Sequence, residues 1–245
     1  MPTDSVYRAR RDLFDQLNVP MNKADIKRLR RRQRIRLKVW EATLNSLLVF
    51  KRLLDVAFSL VALVLLLPVF AAVAAAIVLE DGRPVLYVQN RVGLDGRVFR
   101  FYKFRSMYRN ADEIKKQLAA DNESGDGVIF KMKKDPRVTR IGRILRKFSI
   151  DEMPQFINVL MGDLSVVGPR PPLPDEVAQY SLEERKRLHV KPGLTCLWQI
   201  KGRSEIPFHE QVRLDLEYIR SRSLWNDVLI ILKTVPAVLL GKGAY

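Results

Sequence analysis

At 245 residues the chain suits one domain with attachments and can bury a real core. It carries 43 Lys+Arg against 27 Asp+Glu, a net charge of +16, which implies an anionic partner: nucleic acid, an anionic lipid surface or a phosphorylated substrate. The single Cys196 excludes an internal disulfide framework, and two histidines, His189 and His209, are too few for a His-rich zinc centre.

Residues 1–50 read as a basic N-terminal amphipathic extension. Ile26, Leu29, Ile35, Leu37 and Trp40 stand among many cations there. That composition suits a surface helix on anionic lipid, and equally a solvated charged helix or a nucleic-acid arm. The apolar segment that follows favours lipid.

From Leu53 to Leu79 the only charge is Asp55. About 20 apolar residues suffice to cross a bilayer, so residues 51–80 read as a membrane helix, with a buried soluble helix as the alternative. The segment begins some fifty residues into the chain, which does not fit a secretory signal peptide. Residues 23–52 hold eleven Lys/Arg against Asp25 and Glu41, and Arg83, Arg91, Arg97, Arg100, Lys103, Arg105 and Arg109 follow on the other side. Positive charge favours the cytoplasmic side, and here both flanks carry it. Pro68 removes a helix hydrogen bond near the middle. The expectation is a re-entrant helix hairpin, broken at Pro68, with both ends on the cytoplasmic face. The Ser59 hydroxyl is a candidate partner for the freed backbone, and an ordinary span with a tolerated proline is the alternative.

Residues 81–245 read as a compact cytosolic α+β catalytic domain, mostly helical, with amphipathic interfacial helices. Val85, Tyr87, Val98, Phe99 and Phe101 flank Gly93 and the Asp95–Gly96 pair, so a small β-hairpin is expected. A polar helix and loop follow over residues 108–128, and residues 133–163 read as helix, break, helix. Four prolines in six residues around Arg170 make a stiff loop. Ser181 with Glu184 is a capping box. A helix is expected over Phe208–Ser221, and the chain closes on an apolar helix, with Trp225 near its start, that packs on the core or lies in the membrane interface. The common phosphate-loop, dinucleotide, hydrolase and zinc-protease motifs are absent.

The stretch "SIDEMPQF" places Asp151 and Glu152 side by side in a basic chain. Read as local structure, Asp151 caps a helix whose first turn is Glu152, Met153 and Pro154. Three arginines suggest more: Arg146 shortly before the pair, Arg170 in the Pro-Arg-Pro-Pro loop, and Arg203 in "KGRS". A guanidinium fork binds phosphate bidentately, and a carboxylate beside an oxygen-loving cation completes a phosphoryl-transfer site.

The ordered motifs "QNRVG", "YKFRSM", "DPRVTRIGRILRKFSIDEMPQFINVLMGDLSVVGPRP", "KPGLTCLWQIKGR" and "SLWNDVLIILKTV" resemble the bacterial sugar transferases, the monotopic polyprenyl-phosphate phosphoglycosyl transferases, over roughly residues 47–245. The resemblance implies Mg²⁺-dependent transfer of a hexose 1-phosphate from a UDP-sugar to undecaprenyl phosphate, releasing UMP. This would start exopolysaccharide, capsule or O-antigen synthesis at the cytoplasmic face of the bacterial inner membrane. It makes Asp151 the nucleophile of a covalent sugar-phosphoryl intermediate and gives Glu152, with Asp151, the metal. Arg146, Arg170 and Arg203 become phosphate ligands that also depress the Asp151 pKa, and Lys103, Arg105 and Ser106 a supporting motif near the membrane. Family members often carry Ser-Pro at the helix break, whereas Leu67 precedes Pro68 here. Anionic lipids are expected partners, nucleic acid is not, and a homodimer is left open. A DNA-binding membrane protein and a non-catalytic assembly scaffold are the competing readings; neither gives the acidic pair a role. His189, His209 and Cys196 read as surface or packing residues, while Trp198 and Gln199 face a nucleotide or simply pack.

Overall fold

The computed structural model describes residues 8, 12, 23–111, 113–114, 135–202 and 206–240. It resolves into two units, residues 1–50 and 51–245. In the first unit the described chain is helical from Lys23, and its cations from Lys27 to Lys38 are exposed, as are Leu29, Ile35, Leu37 and Trp40. Apolar and basic side chains therefore share the same exposed surface.

Helix α1 runs Lys23–Asp81 and carries the apolar segment. Within it, Ser46–Asp81 is long and apolar enough to cross a membrane. Pro68 lies inside this helix and its side chain is exposed. The chain is helical on both sides of Pro68, the expected break, where a proline forfeits one backbone hydrogen bond. Ser59 is fully buried, and its hydroxyl has no partner among the described residues.

In the second unit β1 (Leu86–Val92) and β2 (Val98–Phe104) form the antiparallel hairpin, with Leu86 opposite Phe104 and Val92 opposite Val98. Its turn works through Asp95 (φ 52°) and Gly96 (φ 83°), the left-handed pair that matches strand twist. Next come α2 (Arg140–Lys147), a 3₁₀ turn (Ile150–Glu152), α3 (Gln155–Met161) and β3 (Ser165–Val167). The remainder comprises α4 (Pro174–Ala178), α5 (Leu182–Arg185), β4 (Gly193–Thr195), α6 (Leu197–Lys201), α7 (Phe208–Arg220) and α8 (Leu224–Leu240). The architecture is the expected mostly helical α+β fold, and Ser181 and Glu184 form the capping box. The polar helix and loop of residues 108–128 fall largely outside the described residues.

A second sheet was not expected. β3 and β4 pair in parallel, Ser165 with Gly193 and Val167 with Thr195. Gly168 and Gly193 permit the approach, since a Cβ on Gly193 would stand 2.0 Å from the Gly168 nitrogen. The main core joins Phe99 and Phe101 of the hairpin to Val159, Leu164, Val166, Val167, Tyr218 and Ile230. A second cluster sets Val73 and Ile77 of α1 against Phe104 and Leu145, with Phe70 edge-on to Phe104 at 5.2 Å.

The N-terminal part of the apolar segment also docks on this core. Lys51 pairs with Asp227, whose other oxygen accepts from Tyr218 Oη at 2.9 Å. Asp55, the lone charge of the segment, is buried and accepts from Val166 N at 3.1 Å. In α8, Trp225, Val228, Leu232 and Val235 leave an exposed apolar stripe at helical spacing.

Candidate active site

Two short helices and a turn build the site. Thr139 Oγ1 accepts from Gly142 N at 2.8 Å and caps α2. Gly142 lets α2 lie against the chain leaving β2, for a Cβ there would stand 2.0 Å from the Ser106 carbonyl oxygen. After α2, Ser149 adopts a left-handed conformation (φ 53°), and the chain reverses into the 3₁₀ turn that carries both carboxylates. Asp151 is therefore not a helix cap. The α-helix begins only at Gln155, behind Pro154, because the Ser149 reversal spends the intervening residues on the tighter turn. Asn158, fully buried, bolts α3 to β2 by accepting from Tyr102 N at 3.2 Å and donating to the Arg100 carbonyl at 2.6 Å. Nothing in its sequence position announced that role.

Lys103, in β2, donates to Glu152 Oε1 at 2.9 Å. Burial works against the Glu152 charge, but Lys103 and then Arg170 hold its pKa down to about 2. Asp151 behaves oppositely. It is 6 % exposed, and burial pushes it up to about 6 against the pull of Lys103, with Glu152 adding to the rise and Arg146 opposing it. Arg146 depresses Asp151 in the expected direction, but desolvation outweighs it and the net shift is upward. At pH 7 both carboxylates are mainly ionised, and Asp151 is the more basic of the two.

Arg170 projects from the proline-rich loop over the Trp198 ring at 5.9 Å. Trp198 and Cys196 are buried with Leu214, so both pack, and burial pushes the Cys196 thiol well up. Gln199 accepts from Cys196 Sγ at 3.3 Å. His189 meets Asp95 on the exposed surface, and His209 is exposed.

Arg91 was quoted in the "QNRVG" motif without a role. It is buried, lies over the Phe101 ring at 5.4 Å and donates to the Pro171 carbonyl at 3.0 Å. The neighbouring Val92 N donates to the Pro172 carbonyl at 2.9 Å, so β1 grips the two residues that follow Arg170. Burial, and then Arg170, bring the Arg91 pKa down to about 10, which leaves it charged beside Glu152.

The structure thus places Lys103, Arg91, Arg146 and Arg170 in the electrostatic field of the two carboxylates. Arg203 lies outside the described residues. The supporting motif splits by role. Lys103 faces the acidic pair, whereas Arg105 is buried, pairs with Asp81 at 3.2 Å and donates to the Asp81 and Gly82 carbonyls at the end of α1. Ser106 is buried and its carbonyl accepts from Thr139 N at 3.1 Å. Gln155 is buried one turn after Asp151, with no partner for its Nε2 among the described residues.

Among the described residues no three His, Cys, Asp or Glu side chains gather as a metal cage. Two adjacent carboxylates still suit Mg²⁺, which keeps several waters and commonly completes its octahedron with substrate phosphates. Lys103 occupies Glu152 Oε1, leaving Oε2 and the Asp151 carboxylate as the available protein oxygens.

The family model for bacterial sugar transferase matches residues 46–241. The galactosyl transferase CpsE of Streptococcus agalactiae serotype III is 50 % identical over 200 residues, which cover 81 % of this chain and 44 % of CpsE. An undecaprenyl-phosphate galactose phosphotransferase of Salmonella typhimurium is 41 % identical over 198 residues, covering 80 % of this chain and 41 % of that protein. The exopolysaccharide production protein ExoY of Rhizobium meliloti is 40 % identical over 198 residues, covering 80 % of this chain and 88 % of ExoY. The chain thus spans less than half the length of the first two relatives and most of the third. From Ser46 to the end of α8, the charged turn and the helices that hold it lie inside the matched region. This chain belongs to the bacterial sugar transferase family.

Proposed function

We propose that this chain transfers a hexose 1-phosphate from a UDP-sugar to undecaprenyl phosphate, in the first membrane step of exopolysaccharide, capsule or O-antigen synthesis. One observation carries the reading: a buried, more basic carboxylate, Asp151, adjoins a lysine-held Glu152 in a field of arginines. The names of the relatives, which act on undecaprenyl phosphate or serve exopolysaccharide production, support the acceptor and the polymer class.

An Asp151 oxygen attacks the phosphorus that bears the sugar. The bond from that phosphorus to the bridging oxygen breaks, and UMP leaves with that oxygen. The sugar phosphate is now an acyl phosphate on Asp151. A phosphate oxygen of undecaprenyl phosphate then attacks the same phosphorus and expels the carboxylate, giving undecaprenyl diphosphate-sugar. Arg170, stiffened by its prolines and by Arg91, meets the equatorial oxygens with Arg146, and Lys103 keeps Glu152 ionised. Mg²⁺ held by Asp151 and Glu152 would neutralise charge on the diphosphate.

Purified protein incubated with undecaprenyl phosphate and UDP-galactose, UDP-glucose or UDP-N-acetylgalactosamine should release UMP with at least one donor. No UMP above a donor-free blank with any of them would remove the reading.

The topology we propose keeps both ends of the apolar segment on the cytoplasmic side. Residues 51–80 as a helix measure about 45 Å, more than the roughly 30 Å of a hydrocarbon core. Lys51, Arg52 and Asp55 at one end, and Val73, Ile77 and Glu80 at the other, all engage the same soluble core. Engagement of one core by both ends supports a segment that enters and leaves on the same face. The basic helix of the N-terminal unit suits anionic lipid. Single cysteines at Asn45 and Gly82, in a Cys196→Ser background, should both resist an impermeant thiol reagent applied to intact cells. Labelling at position 45 with protection at position 82 would establish a span instead.

A further inference from the structure

The outer ends of the two helices that carry the catalytic turn are both capped by α1. At one end, the Glu80 carboxylate accepts from Arg140 N at 2.7 Å and Ile141 N at 3.0 Å, the first free amides of α2. At the other, the Arg52 guanidinium donates to the Val159 carbonyl and to the Leu160 carbonyl at 2.8 Å, in the last turn of α3. Gly162, left-handed at φ 93°, ends α3 directly beside this cap. Each cap carries the sign the helix dipole favours, an anion at an N-terminus and a cation at a C-terminus. Asp151 and Glu152 lie on the turn between the two capped helices.

From these contacts we infer that Arg52 and Glu80 are positioning residues, through which the seating of α1 sets the geometry of the Asp151–Glu152 turn. The inference rests on Asp151 and Glu152 being the catalytic pair. The segment that joins the two caps, residues 53–79, is the apolar one, with Leu53, Leu60, Val64 and Leu65 among its exposed side chains. Whatever surrounds those side chains therefore has a mechanical connection to the turn. Neither cap reaches the reacting atoms, so each acts through α2 or α3. In the sequence both residues look like ordinary charges flanking an apolar run. Their partners are backbone groups 60 and 108 residues away.

The test uses the full chain in lipid nanodiscs, comparing wild type with Arg52→Gln, Arg52→Lys and Glu80→Ala. Arg52→Gln and Glu80→Ala should lower kcat by about ten- to hundredfold, as small misplacements of reacting groups do, with the KM for the UDP-sugar within about twofold of wild type. Amide hydrogen exchange should rise in residues 139–162 and stay at wild-type rates in α7 and β4. Arg52→Lys, which keeps donors and charge, should recover most of the kcat. Unchanged exchange in residues 139–162 would overturn the inference. So would a uniform rise across the unit with a lowered thermal midpoint, since that describes only a stability role. Exchange is measured without turnover, so it reports on the clamp even if Asp151 proves not to be the nucleophile.

Discussion

Asp151→Asn should lower UMP release on the order of 10⁴-fold or more, the scale seen when a covalent nucleophile is removed. The amide keeps the size of the carboxyl but has no anionic oxygen with which to attack phosphorus. Asp151 is held ionised at a cost, because burial pushes its pKa up to about 6. The neutral asparagine escapes that cost, so the thermal midpoint should stay level or rise. Loss of activity with an intact fold separates chemistry from stability. Mass spectrometry gives the complementary measurement. Wild type given a UDP-sugar and no acceptor should gain one sugar-phosphate on the peptide containing Asp151, and the variant should gain none. An asparagine variant that still turns over near the wild-type rate would leave Asp151 without the nucleophilic role.

Asp215→Ala should destabilise the second unit by about 3–5 kcal/mol, the usual cost of stranding one partner of a buried ion pair. Asp215 and Arg187 pair deep beneath the Arg170 loop, at 1 % and 4 % side-chain exposure. Burial pushes Asp215 up to about 6 against the pull of Arg187, while Asp215 holds Arg187 charged against the same burial. Both are therefore ionised at neutral pH. Without Asp215, the Arg187 charge keeps a hydrogen bond to Tyr180 Oη at 3.2 Å and has no carboxylate partner among the described residues. For a unit of this size the thermal midpoint should fall by about 10 °C. Arg187→Met combined with Asp215→Leu should recover most of the loss, because an apolar pair leaves no buried charge. A double variant as unstable as the single one would show that the site requires charge.

The features settled by sequence alone are those that local rules govern. An apolar run announces a membrane-seeking helix, alternation with Asp-Gly announces the hairpin, and Ser181 with Glu184 announces a cap. The acidic pair and the arginine-bearing loop were visible too, through residue type and motif order, and the family match covers them. Other features depended on contacts between residues far apart in the chain. Parallel pairing of β3 with β4 joins two three-residue segments too short to show a period. The opposed pKa shifts of Asp151 and Glu152 needed burial and the place of Lys103, and the role of Arg91 needed the loop it grips. Asp55, Lys51, Arg52 and Glu80 read in sequence as charges in or beside a membrane segment, and only tertiary structure gave each a partner in the soluble core. The division has one physical reason: propensity, capping and periodicity act within a few residues, whereas desolvation and long-range hydrogen bonds exist only once distant segments have closed on one another.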